Sequence, residues 1–239
     1  MASPSNFVLV HGAWGGGWIW RRVADRLQAR GRRVFTPTLT GLADRSHLLS
    51  PKVNLSTHIL DVVNLMKWEE LDGVVLVGHS YGGMVITGVT AEAEPGTIAS
   101  IVYLDAFLPD DGKSLIDYAP MPNAVQRGTE IPLDADQLVP PIPASAPRMN
   151  AADVDWLNRQ RTWQPMATFK EPVRRTERLE RIPMKTYVLA TGYDNVTHKV
   201  FAEKVKDDPA WRYIELPGSH DLMLSMPEET ANLLLAAAN

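Results

Sequence analysis

The run Gly78-His79-Ser80-Tyr81-Gly82-Gly83 holds the side chains of this 239-residue chain best placed to do chemistry. It follows an apolar, mostly β-branched stretch, Val74-Val75-Leu76-Val77, and precedes Met84-Val85-Ile86-Thr87-Gly88-Val89, which suits a helix. That order spells a buried strand turning sharply into a helix around Gly-x-Ser-x-Gly, a turn that lifts the serine oxygen clear of the sheet edge. The glycines let neighbouring backbone come close, and the helix points its positive end at the same spot. A hydroxyl attacks only when a base takes its proton. On a sheet of this kind the chain order is serine, acid, histidine. Of the six histidines, only His198 and His220 come late enough. His220, in the loop Pro217-Gly218-Ser219-His220-Asp221 after the last strand, is the expected base. His198 falls in the first turn of a helix, where a solvated or capping role is expected.

The base needs a carboxylate to set its tautomer and stabilise its charged form. Asp194, just past a strand ending at Ala190, is the preferred partner. Asp105, at the end of an earlier strand, is its rival, and Asp221 is too close in the chain to point back at the ring. A developing oxyanion needs backbone donors, here the N–H groups of Tyr81 and of Ala13 in His11-Gly12-Ala13-Trp14. His11 and His79 are read as hydrogen-bonding supports. The pocket is expected to be lined by Gly12, Trp14, Phe107, Trp156 and Trp163, with Met121, Met149 and Met166 also shaping it.

Other elements must position these groups. Phe7-Val8-Leu9-Val10, Val34-Phe35-Thr36-Pro37, the serine strand, and the stretches 98–104, 185–190 and 211–216 read as strands. Helices are expected over 18–30, over 57–71 with Ser56 as its cap, after Ser80, over 197–205 and over 227–238. The alternation argues for an α/β fold with a mostly parallel sheet flanked by helices. Between 106 and 183 the rhythm lapses, and prolines gather at 120, 122, 132, 140, 141, 143, 147 and 165. That stretch is expected to be an inserted cap over a pocket, with 1–105 and 184–239 forming the core.

A net charge of −4 gives no electrostatic reason to expect nucleic acid. No apolar run reaches membrane-spanning length, and the first six residues lack the features of a signal peptide, so the cytoplasm is the expected location. With no cysteine, thiolate catalysis and disulfides are excluded. No glycine loop fits a phosphate and no His/carboxylate spacing suits a metal, so neither cofactor nor metal is expected.

Residues 7–20, Gly78 to Gly83, Leu104-Asp105-Ala106-Phe107-Leu108-Pro109 and Gly218-Ser219-His220-Asp221 together resemble the α/β-hydrolase superfamily. Within it the chain is most similar to small esterases grouped with plant methylesterases and hydroxynitrile lyases. The resemblance implies a cofactor-free carboxylic ester hydrolase, with Ser80, His220 and Asp194 as triad and a helical cap over an apolar pocket. Lyases of the group carry threonine after the first-strand histidine and lysine after the catalytic one; Gly12 and Asp221 stand there, which favours ester hydrolysis over cyanide release. The implied partner is a small-molecule ester, with carbamates or amides as the alternative substrates and a small-molecule receptor as the non-enzymatic alternative. A homodimer is left open.

Overall fold

β1 (Asn6–Val10), β2 (Arg33–Phe35), β3 (Val74–His79), β4 (Ile98–Leu104), β7 (Met184–Ala190) and β8 (Trp211–Leu216) form one parallel sheet in the order β2-β1-β3-β4-β7-β8. The computed structural model describes residues 6–119, 137–144 and 147–238; Met121 and the prolines at 120, 122 and 132 lie outside them. Alternate residues along each strand feed opposite faces, as the two-residue period of a strand requires. Val8, Leu76, Ile101 and Tyr187 pack on one side, and Phe7, Val75, Val102 and Val188 on the other. The first face is covered by α2 (Leu55–Trp68), α3 (Gly82–Glu92) and α8 (Val196–Val205), and the second by α1 (Arg21–Gln28), α9 (Leu222–Ser225) and α10 (Pro227–Ala236).

The cap of α2 differs from the sequence expectation. Asn54, not Ser56, accepts from the Thr57 N–H at 3.0 Å, and Thr57 reaches back to complete a capping box. Ser56 donates instead to Glu171 at 2.6 Å. The two residues differ in backbone: Asn54 is extended, while Ser56 is already helical and cannot cap.

Between β4 and β7 the chain leaves the sheet. It forms α4 (Leu115–Tyr118), a small antiparallel pair of β5 (Leu138–Val139) with β6 (Gln164–Pro165), and α5 (Ala151–Gln160), α6 (Ala167–Lys170) and α7 (Glu177–Glu180). This segment is tied to the sheet domain at named points. Arg22 on α1 grips Asp153 on α5 through two hydrogen bonds of 2.6 and 2.8 Å. Trp14 donates its backbone N–H to Gln164 at 2.7 Å. No helix among the described residues is long and apolar enough to cross a membrane.

Candidate active site

Ser80 sits where β3 meets α3, with φ of 53°, a left-handed conformation that a non-glycine residue adopts only under constraint. Its carbonyl accepts from the Gly83 N–H at 3.0 Å and the Phe107 N–H at 3.1 Å, which brace the turn. Gly83 is required by packing, since a Cβ there would lie 2.0 Å from the Phe107 carbonyl oxygen. Ser80 and His220 line one cavity of about 410 Å³. Among the described residues no hydrogen bond joins the serine hydroxyl to the ring, and in unliganded enzymes such contacts often tighten only when substrate binds.

The carboxylate on His220 is Asp105, which corrects the expectation of Asp194. His220 Nδ1 donates to Asp105 Oδ2 at 2.6 Å. Asp194 is exposed on the cavity wall and makes no hydrogen bond to the ring. The reason lies in what surrounds each carboxyl. Asp105 is wholly buried. Its Oδ1 accepts from the Ala190 N–H at 3.0 Å and Asn195 Nδ2 at 2.7 Å, and its Oδ2 accepts from the Tyr193 hydroxyl at 2.6 Å as well as from His220. The loop expected to supply the acid thus supplies donors to another acid. Burial pushes the Asp105 pKa up, but the nearby His198 and His220 and these hydrogen bonds outweigh it and hold the group at about 2. Burial also works against a charged His220, yet the Asp105 hydrogen bond and charge win and raise its pKa above the usual 6.5.

Ala13 and Tyr81 both line the cavity, and their backbone N–H groups have no acceptor among the described residues. The loop bearing Ala13 is locked by His11, whose Nδ1 donates to the Gly12 carbonyl at 2.7 Å while Nε2 accepts from the Leu39 N–H at 3.1 Å. Burial lowers the His11 pKa to about 4, so the ring stays neutral and can hold both bonds. Gly12 is pressed against the nucleophile turn, where a Cβ would lie 2.9 Å from His79 Nδ1 and 3.0 Å from Ser80 Cβ. Gly12→Ala is therefore expected to displace this loop and lower kcat/KM by about 10- to 100-fold, as measured on any turned-over ester. An unchanged rate would show that the loop adapts without cost.

Of the expected pocket residues, Gly12, Trp14 and Phe107 line the cavity, whereas Trp156 and Trp163 do not. Trp156 instead packs edge-on against Trp18, ring centroids 4.9 Å apart. The wall includes residues that the sequence did not single out: Leu115, Arg161, Phe169, Tyr193 and Asn195. His198 also lines it, buried to 7% exposure rather than solvated. A signal for this existed. Asn195 three residues before His198 is a good helix cap, and it does accept the His198 N–H at 2.9 Å, which turns the histidine inward.

Folding also unites groups that spacing kept apart. Nitrogens of His198 and His220 and an oxygen of Asp105 lie within 4.8 Å of one another, close enough to ligate a metal. The Tyr193 hydroxyl stands among them, 2.6 Å from Asp105, 3.2 Å from His220 Nδ1 and 3.4 Å from His198 Nδ1. A cation there would have to displace that hydroxyl and the proton shared by His220 and Asp105.

A parallel sheet with a strained serine elbow, and with a histidine and a carboxylate delivered from later strand ends, is the arrangement of an α/β hydrolase. The model of the alpha/beta hydrolase family matches residues 7–233, and the chain belongs to that family. It is 43% identical over 240 residues to the carbendazim hydrolyzing esterase of Nocardioides sp. (strain SG-4G), covering 97% of this chain and 99% of that one. Salicylic acid-binding protein 2 of Nicotiana tabacum is 37% identical across 46% of this chain and 42% of its own. Among solved structures, an extracellular alpha/beta-hydrolase from a Paenibacillus species superposes with a TM-score of 0.79 at 26% identity, covering 98% of this chain and 99% of that one. With such relatives the chain is an enzyme, a hydrolase of the esterase kind.

Proposed function

We propose that the chain is a serine esterase for small carboxylic esters, working through an acyl-enzyme with Ser80 as nucleophile, His220 as base and Asp105 as its carboxylate. The single observation that carries this reading is the 2.6 Å bond from His220 to buried Asp105, in a cavity whose wall also holds Ser80. In the first half, Ser80 Oγ bonds to the carbonyl carbon and its proton passes to His220 Nε2. The N–H groups of Tyr81 and Ala13 hold the oxyanion, and the alcohol leaves with the proton. In the second half, water loses a proton to His220 and releases the acid. Asp105 holds the ring so that Nδ1 carries the hydrogen and Nε2 faces the reaction. The segment 106–183 acts as the cap, contributing Leu115, Leu157, Arg161 and Phe169 to the wall.

The substrate is a small molecule. The relative named for carbendazim hydrolysis supports a compact ester-like substrate. Gly12 and Asp221, at positions where the group's lyases carry threonine and lysine, support hydrolysis over cyanide release.

A panel of p-nitrophenyl esters of rising acyl length, with fluorophosphonate labelling, tests this reading. Turnover and labelling that both depend on Ser80 are expected, and turnover that survives Ser80→Ala would end the proposal. The pH profile adds a second check. His220 acts only when neutral and its pKa is raised. The acid limb of kcat/KM is therefore expected above pH 6.5, the usual histidine value. A limb well below that would contradict the Asp105–His220 pairing.

A further inference from the structure

The backbone around Ala13 is held from two directions. His11 holds the Gly12 carbonyl, the far end of the peptide that carries the Ala13 N–H, at 2.7 Å. The next peptide is held by the inserted segment: the Trp14 N–H donates to Gln164 Oε1 at 2.7 Å. Two more bonds from that segment meet the same residue. The Thr162 N–H donates to the Trp14 carbonyl at 3.0 Å, and the Trp14 indole N–H donates to the Val139 carbonyl at 3.3 Å. Trp14 has φ of 61°, a left-handed backbone that a residue with a side chain keeps only where its surroundings over-determine it. Each of its polar groups is committed to the segment between β4 and β7. Gln164 itself is wholly buried. The Trp14 N–H only donates, so Gln164 Oε1 must face it. Nε2 then donates to Thr168 Oγ1 at 2.8 Å, and the Thr168 hydrogen goes to the Pro165 carbonyl at 2.7 Å. That bond ties β6 to α6, the helix of Phe169. The Phe169 ring lies against both Trp14 and Tyr81, with centroids 5.8 and 5.5 Å away. One inserted segment thus bears on the neighbour of the first expected oxyanion donor and on the residue that supplies the second.

We propose that Gln164 is a positioning residue of the reaction: by holding the Trp14 N–H it fixes the backbone of Ala13 and aims the Ala13 N–H at the oxyanion. The seated cap is then part of the oxyanion hole. This deepens the esterase reading above and rests on it. A donor stabilises the developing charge only within a narrow range of distance and direction. Between the Ala13 N–H and the Trp14 N–H stand only the two backbone torsions of Ala13, so whatever holds the second N–H also sets the first. The His11 bond grips the Gly12 oxygen alone, and the peptide can still pivot about that point. Releasing the Trp14 N–H lets the strained φ of Trp14 relax, and the Ala13 torsions turn with it. Gln164 is not on the cavity wall. It acts through Trp14 without touching substrate, which separates its effect on the transition state from any effect on binding.

The test compares wild type, Gln164→Met and Gln164→Glu on p-nitrophenyl acetate and with two ketones of one shape, benzyl trifluoromethyl ketone and benzyl methyl ketone. The fluorinated ketone is attacked: Ser80 Oγ bonds to the carbonyl carbon, the C=O electron pair moves onto oxygen, the serine proton passes to His220, and the oxyanion fills the hole. The methyl ketone stays trigonal and reports binding alone. Gln164→Met keeps the length of the side chain but removes the acceptor. It should lower kcat by about 10- to 100-fold with KM within about threefold, a share of the loss that follows outright removal of an oxyanion donor. Its Ki for the trifluoromethyl ketone should rise by a like factor while that for the methyl ketone holds. A side chain that only steadies the fold would instead lower Tm and weaken both ketones alike. Gln164→Glu should recover much of the loss, since burial keeps its carboxyl protonated and it then offers the same acceptor and donor. If Gln164→Met does not fold, Thr168→Val is read in its place: it frees the Gln164 amide without touching Trp14 and should show the same pattern at smaller size. An unchanged kcat, an equal weakening of both ketones, or no recovery in a folded Gln164→Glu would each overturn the proposal. Failure of the esterase reading itself would look different: ester cleavage by the wild type that does not need Ser80, with no preference for the fluorinated ketone.

Discussion

Replacing Ser80 with alanine is expected to lower kcat by about 10⁵- to 10⁶-fold on any ester the wild type cleaves. The proposed triad acts as a unit, so losing its nucleophile removes the covalent route whole, and only the oxyanion donors and binding remain to help water attack. The position adds a second, separable expectation. Ser80 is held at φ of 53°, where a side chain costs about 1–3 kcal/mol and glycine costs far less. Ser80→Gly should therefore be as inactive as Ser80→Ala yet have a higher Tm than either alanine variant or wild type. Thermal unfolding of the three proteins together with their esterase rates checks both parts. A glycine variant no more stable than wild type would mean that the bonds from Gly83 and Phe107 to the Ser80 carbonyl impose no strain on the turn.

The parts legible in the sequence were those written in local pattern. The apolar run 74–77 between a loop and a Gly-rich turn can hardly be anything but a buried strand, and β3 is buried along its whole length. The same holds for the elbow itself and for the histidine loop after the last strand. The carboxylate that pairs with His220 was not legible, because Asp105 and Asp194 both follow strands of one parallel sheet and so both emerge at the same edge. What separates them is long-range: Ala190, Tyr193 and Asn195 lie 85 or more residues from Asp105 in the chain and all aim donors at it. Spacing carries no trace of that convergence. The cavity wall failed for a related reason. Tryptophans draw attention in a sequence, but Trp156 finds Trp18 instead of the cavity, and the inward turn of His198 depends on Asn195 bridging a helix start to a buried carboxylate.

Asp105→Asn and Asp194→Asn should therefore part company sharply. An asparagine at 105 would keep the shape of the side chain but lose the charge that steadies a protonated His220, and it could favour the wrong tautomer of the ring. A kcat loss of about 10⁴-fold is expected. The acid limb of the pH profile should also move to lower pH, because Asp105 is what raises the His220 pKa and burial alone would depress it. Asp194, exposed and making no bond to the ring, should tolerate asparagine within about twofold. Stability should follow the same residue. The Asp105 pKa is depressed from 3.8 to about 2 in the folded chain, so its ionised form favours folding above pH 3.8, and that contribution fades as pH falls toward 2. In Asp105→Asn that part of the acid sensitivity should vanish, leaving a flatter dependence of unfolding free energy on pH between 4 and 2 than in wild type or Asp194→Asn. If instead Asp194→Asn proved the more damaging to kcat, the loop 191–195 would have to swing its carboxylate inward during turnover. Tyr193 and Asn195 would then have to release Asp105, at the cost of leaving a buried carboxylate short of two of its donors.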